Sequence, residues 1–263
     1  MNSPNEFYIG WEAKAAPEIG RRVRWTSALL LVFVLSAAAI LAGAQRLVGT
    51  SVFEWGKTKT FAGILKLEPY PHLLVPRPGQ PGELPSFSAY YLVAPWKFGL
   101  QKDKLLNFDS KPVSLKGTLI FRESQAMIEV KPDSITLASG LPQAVSVASA
   151  IENQKPEIKN SPPVTLRGEI VDSKCFLGVM NPGQLTPHRA CAIRCISGGV
   201  PPVLLVQRDG EPAKYFLLVS ADGKPVNKQV LDFVAEPVEI TGQLDQQGDL
   251  AILRADPKSY RRL

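Results

Sequence analysis

The sequence predicts a mostly β chain: an N-terminal transmembrane helix, then two tandem small β-barrels, the second with a short Cys/His-bearing helix inserted. Three observations lead there. Residues 26–44 run for 19 positions without a charge. Two later stretches, 113–135 and 238–260, repeat one order of strands and turns. All three cysteines of the 263-residue chain fall within residues 175–195, beside one of its only two histidines.

The apolar run comes first. A helix rising about 1.5 Å per residue crosses a hydrocarbon core of about 30 Å in roughly 20 residues. Trp25 stands at its leading edge, where an amphipathic ring prefers the interface. Arg21, Arg22 and Arg24 crowd the N-terminal flank against a lone Arg46 beyond. The positive-inside rule then keeps residues 1–24 cytoplasmic and exports everything after about residue 47. This describes a single-pass protein of the bacterial inner (plasma) membrane, its C-terminal domains periplasmic or otherwise extracytoplasmic. The competing reading is a signal peptide cleaved after Ala44, with Ala42-Gly43-Ala44 as the small-residue site. Signal cores usually run only about 7–15 apolar residues. This one is longer and follows a leader carrying Glu6, Glu12 and Glu18, which favours an uncleaved anchor over 25–47.

The soluble remainder divides into two similar halves, 51–137 and 164–263, joined by a small, polar, proline-bearing linker at 138–163. Each half opens on a strand containing glycine, 59–67 and 164–172. Each continues through an aromatic strand, 88–96 and 214–219, to a hairpin whose first strand contains Gly117 or Gly242. Strands punctuated by glycine, about five per unit, match a partly open barrel of OB type, in which glycine allows sharp bends. A duplicated unit predicts that Gly117 matches Gly242 and that Tyr91 matches Phe216. Residues 69–85 hold six prolines and are expected to lie extended over the surface, outside any sheet interior. His72, within them, reads as a surface or packing residue rather than a ligand. OB barrels can stack nucleic acid on aromatics, but an exported domain meets none, and the net charge of +6 is scattered without a Lys/Arg run. No nucleic-acid partner is expected.

The cysteine window follows the strand ending at Asp172. Thr186 suits an N-cap, Pro187 the first helical position, and Gly198-Gly199 with Pro201-Pro202 a stop, so a helix is expected over 187–197. His188, Cys191 and Cys195 then lie at i, i+3 and i+7 on one face. A loop of about a dozen residues can bring Cys175 to that face, completing a Cys₃His ligand set: Cys175, His188, Cys191 and Cys195. Zinc fits best, with copper or iron as softer alternatives. Two other readings stay open: a structural disulfide that leaves a spare thiol, and redox-active thiols at Cys191 and Cys195. Asp172 either caps a turn or orients His188 from behind. Haem-attachment, ferredoxin, nucleophile-elbow, phosphate-loop and dinucleotide patterns are all absent, and no catalytic residue stands out.

The string GEIVDSKCFLGVMNPG…PHRACAIRCISGGVPP, within residues 168–202, resembles the motif of a family of membrane-anchored exported bacterial proteins. That motif is G-x-[IV]-V-D-x-x-C-[FY]-L followed by H-x-x-C-A-x-x-C-I-x-x-G-x-P. The leader FYIGWEAKAAP at 7–17 is similar to theirs. The resemblance implies an accessory, non-catalytic subunit docked on a larger membrane redox or respiratory complex, with other membrane-protein subunits as partners and a part in electron transport. A metal-handling or thiol–disulfide protein and a scaffold with a disulfide-braced loop are the alternatives.

Overall fold

The computed structural model describes residues 16–45, 51–77, 87–138, 162–207, 213–247 and 250–263. The linker 138–163 falls outside these, save for residues 138, 162 and 163. Helix α1 (Pro17–Gln45) starts on proline at its first position, with Glu18 in the first turn complementing the helix dipole. It is long and apolar enough to cross a membrane, a test that an anchor and a signal sequence both pass.

Residues 50–263 form a second compact unit containing two closed five-stranded barrels. In the first, β2 (Lys59–Lys66), β3 (His72–Pro76), β4 (Phe87–Val93), β6 (Gln125–Val130) and β5 (Pro112–Arg122) follow one another round the sheet. Strand β5 returns to β2 and closes the circle. The second repeats this with β8 (Val164–Asp172), β9 (Pro202–Val206), β10 (Lys214–Val219), β12 (Leu250–Arg254) and β11 (Pro237–Gln247). All these pairs are antiparallel except β4 with β6 and β10 with β12. A 3-10 turn, Lys102–Phe108 or Leu231–Phe233, lies between the third and fourth barrel strands. This is OB-like order in both halves. Short strands β1 (Ser51–Phe53), β7 (Thr136–Leu137) and β13 (Arg261–Arg262) pair on the outer edges of β5 and β11.

Register makes the duplication explicit. Gly117 pairs with Lys59 and Gly242 with Val164, each the first residue of its opening strand. Gly63 and Gly168 likewise face Val113 and Val238. A Cβ on Gly63 or Gly168 would run into the carbonyl oxygen of Leu74 or Leu205, so these positions admit no side chain. The aromatic match is off by one. Val93 bridges Gly99 as Val219 bridges Pro225, which aligns Tyr91 with Leu217 and Tyr90 with Phe216. Aromatic content marks both strands, but alternation of faces gives no frame to within one residue.

The proline-rich stretch also departs from expectation. Residues 72–76 form β3, paired on both sides. Leu73, Leu74 and Val75 sit between Pro71, which precedes the strand, and Pro76, which ends it, so no proline interrupts the ladder. Residues 78–86 lie outside those described. His72 is buried, with Nδ1 2.8 Å from the Tyr70 carbonyl oxygen, so Nδ1–H donates there. Burial pushes its imidazole below the ordinary histidine range. The unfolded chain takes up this proton near pH 6.5 while the folded chain resists it, so the stability is present above about pH 6.5 and lost as pH falls. Urea unfolding midpoints should drop between roughly pH 7 and pH 5, and His72→Gln should flatten part of that fall.

The two barrels share a core. Ile64, Tyr91 and Met127 of the first belong to one buried apolar cluster with Val171, Phe176 and Val203 of the second. Polar contacts cross the same seam. The Val226 amide donates to the Tyr70 hydroxyl at 3.0 Å, and Arg122 Nε to the Phe176 carbonyl at 2.8 Å. Gly99 and Gly198 meet backbone to backbone, the Gly99 amide donating to the Gly198 carbonyl at 2.9 Å. Either residue with a Cβ would collide with the opposite main chain.

Candidate metal centre

The site is built in the connection between the first and second strands of the second barrel. Strand β8 delivers Asp172 fully buried at its end. The chain then makes one π-helical turn, Cys175–Val179, with the Cys175 amide donating to Asp172 Oδ1 at 2.7 Å. Cys175 is therefore fixed at the head of a packed turn with Phe176 and Leu177 buried beside it, where a loose loop was expected. Gly183 lets the returning loop lie on the Cys175–Phe176 backbone, since a Cβ there would fall 2.6 Å from Phe176 Cα.

Helix α2 (Arg189–Ser197) is entered through a 3-10 turn, Thr186–His188. The expected cap does not form: Thr186 makes no capping bond, and Leu185, with φ of 68°, precedes the turn. At the other end Gly199, with φ of 99°, stops the helix, and the Val200 amide donates to the Cys195 carbonyl at 3.1 Å. The helix presents its thiols to Cys175, whose Sγ lies 3.9 Å from that of Cys191 and 3.9 Å from that of Cys195. All three cysteines are free thiols. Sulfurs bound to zinc at about 2.3 Å in a tetrahedron stand about 3.8 Å apart, while a disulfide needs about 2.05 Å. The spacing suits ligation.

Ligand atoms of Cys175, His188 and Cys191 lie within 4.8 Å of one another, as do those of Asp172, Cys175 and Cys195. Each group could hold a metal ion, and Cys175 belongs to both, but the expected set of Cys175, His188, Cys191 and Cys195 does not come together within that distance: His188 and Cys195 fall in different groups. His188 Nε2 is 2.9 Å from Asp172 Oδ2, leaving Nδ1 as the nitrogen free to ligate. Asp172 caps the Cys175 turn with one oxygen and hydrogen-bonds His188 with the other, and it also belongs to one of the two possible ligand groups.

Two lysines were invisible in the cysteine window. Lys97, on the loop after β4 of the first barrel, donates from Nζ to Cys191 Sγ at 2.6 Å. That contact, above all, holds the Lys97 ammonium higher than the usual lysine range. Lys174, fully buried, pairs with Glu129 Oε2 at 2.5 Å and donates to the carbonyl oxygens of Ala94 and Trp96 at 2.9 and 2.7 Å. It pins the loop that carries Lys97. Among the thiols, Cys175 shares a hydrogen bond with Cys195, and this together with burial pushes Cys175 upward. The same bond, helped by the Lys97 charge, draws Cys195 down against its burial. Of the buried thiols, Cys195 alone is drawn toward thiolate, and Cys175 keeps the proton that a bound cation would displace.

No protein-family model matches the chain, and no curated protein matches it. Among solved structures, a deletion mutant of the single-stranded DNA binding protein from Thermus aquaticus is similar at 13% identity. That match covers 82% of this chain and 96% of the other, with a TM-score of 0.23. A superposition that loose carries nothing further, so the barrel assignment rests on strand order and register.

Proposed function

We propose that the protein is a single-pass, N-in membrane protein whose exported barrels carry a Cys₃His metal centre formed by Cys175, His188, Cys191 and Cys195. The observation that carries this reading is the pair of 3.9 Å sulfur spacings about Cys175, with His188 held in place by Asp172. Four protein ligands leave no open position, which describes a structural centre, and zinc is the ion that suits it best. Bound there, the ion contributes folding free energy to the β8–β9 insert rather than a reactive water. The protein is accordingly an accessory subunit. Docking on a larger membrane redox complex is the partner class that the 168–202 motif resemblance supports.

Elemental analysis of the full chain, purified anaerobically in detergent, should find about one zinc equivalent per chain. All three thiols should resist alkylation until a chelator is added. One thiol reacting without chelator, and a pair released only by reductant, would replace the metal with a disulfide. Topology has its own test. A reporter active only outside the cytoplasm should work when fused after Leu263, and a cytoplasm-only reporter should stay silent there.

A further inference from the structure

We infer that Lys97 and Cys191 form a reversible oxidative crosslink, a nitrogen–oxygen–sulfur bridge that ties the first barrel to the second and removes Cys191 from the metal's ligand set. The bridge stands on geometry alone; its consequence for the metal rests on the reading above.

An N–H donor reaches oxygen at about 2.9 Å, and sulfur, being larger, is ordinarily met farther out. Lys97 Nζ lies 2.6 Å from Cys191 Sγ, inside that contact. Two single bonds meeting at one oxygen span a similar distance, so the bridge needs little rearrangement. Both ends are held. Cys191 is on α2, while Lys97 stands on a loop fixed by Lys174 at Ala94 and Trp96 and by Gly99 against Gly198. Lys97 and Cys191 are both partly exposed, whereas Cys175 and Cys195 are buried, so an oxidant arriving from solvent meets this pair first.

The co-reactant is dioxygen. After the ammonium gives a proton to solvent, the amine loses one N–H hydrogen and the thiol its S–H hydrogen. One oxygen atom becomes the bridge, forming N–O and O–S bonds, and the other leaves as water with those two hydrogens. Nitrogen and sulfur together give up the four electrons that dioxygen accepts. Two dithiol molecules, each oxidised to its disulfide, together return four electrons, regenerating amine and thiol and releasing the bridging oxygen as water. A sulfur bonded to oxygen in this way is no longer a thiolate and cannot serve as the ligand described above.

The test uses the full chain in detergent, purified anaerobically, then equilibrated with air, with and without chelator. Intact mass should rise by about 14 Da, reverse with dithiothreitol, and fragment as a Lys97–Cys191 linkage. Metal content should fall in proportion to the bridged fraction. Lys97→Arg keeps the charge without a primary amine; it should show no gain and retain its metal in air. A loss of about 2 Da, a gain of about 16 Da on sulfur alone, or an unchanged mass in both chelator arms would overturn the bridge. Metal absent from the anaerobic protein would count against the metal centre and leave the bridge standing. Metal present with no bridge would count against the bridge alone.

Discussion

Cys175→Ser should empty the metal centre and destabilise the second barrel, the largest single effect expected in the molecule. Cys175 belongs to both ligand groups, and each 3.9 Å sulfur spacing is measured from it. Serine offers a harder, less acidic oxygen on a shorter reach, while the other ligands stay in place. Metal affinity and local folding are coupled, because ligands preformed only in the folded state return binding free energy as stability. Losing several kcal/mol of that coupling should lower Tm by roughly 10 °C in a domain of this size. The new hydroxyl also enters an apolar cluster with Val171, Phe176 and Val200, which adds a smaller cost. A chelator separates the two contributions. It should lower the Tm of the native chain toward that of the variant and leave the variant unmoved. Asp172→Asn should act more gently, weakening metal binding about 10–100-fold through the orientation of His188.

Lys174→Ala should come second. The Lys174 ammonium is buried at the seam, with Glu129 and two backbone carbonyls as its partners. Its removal leaves a mostly buried carboxylate and two carbonyl oxygens without their donor. Breaking a buried pair from one side costs about 3–5 kcal/mol. The corresponding fall in Tm is again roughly 10 °C. Because Lys174 pins the Ala94–Trp96 backbone, the Lys97 loop should loosen with it, and Cys191 should alkylate faster in the chelated protein. Lys174→Met combined with Glu129→Gln restores much of the packing without a stranded charge, and should recover most of the lost stability. Normal stability in Lys174→Ala would mean that the seam is not held by this pair.

The parts of this architecture that are local were legible in the sequence. Glycines 63, 117, 168 and 242 announce the barrel bends because close strand approach excludes a side chain at those positions. Helix α2 and its Gly198-Gly199 stop follow from turn chemistry, and the helix carries Cys191 and Cys195, whereas His188, expected on the same face, ends the 3-10 turn before it. What escaped is non-local. Lys97 and Cys191 are 94 positions apart, and Lys174 and the Ala94 carbonyl 80, so no periodicity links them. The shared core escaped for the same reason: two halves that repeat in sequence read as independent barrels until Tyr91 and Phe176 are found in one cluster. Strand β3 was hidden by composition, since prolines bounding the four-residue run 72–75 resemble prolines within one.

X-ray absorption at the metal edge of the anaerobically purified full chain tests the central claim most directly. The Cys₃His centre predicts about three sulfur scatterers near 2.3 Å and one nitrogen near 2.0 Å. A first shell of oxygen and nitrogen alone, or no bound metal together with a disulfide among Cys175, Cys191 and Cys195, would contradict it.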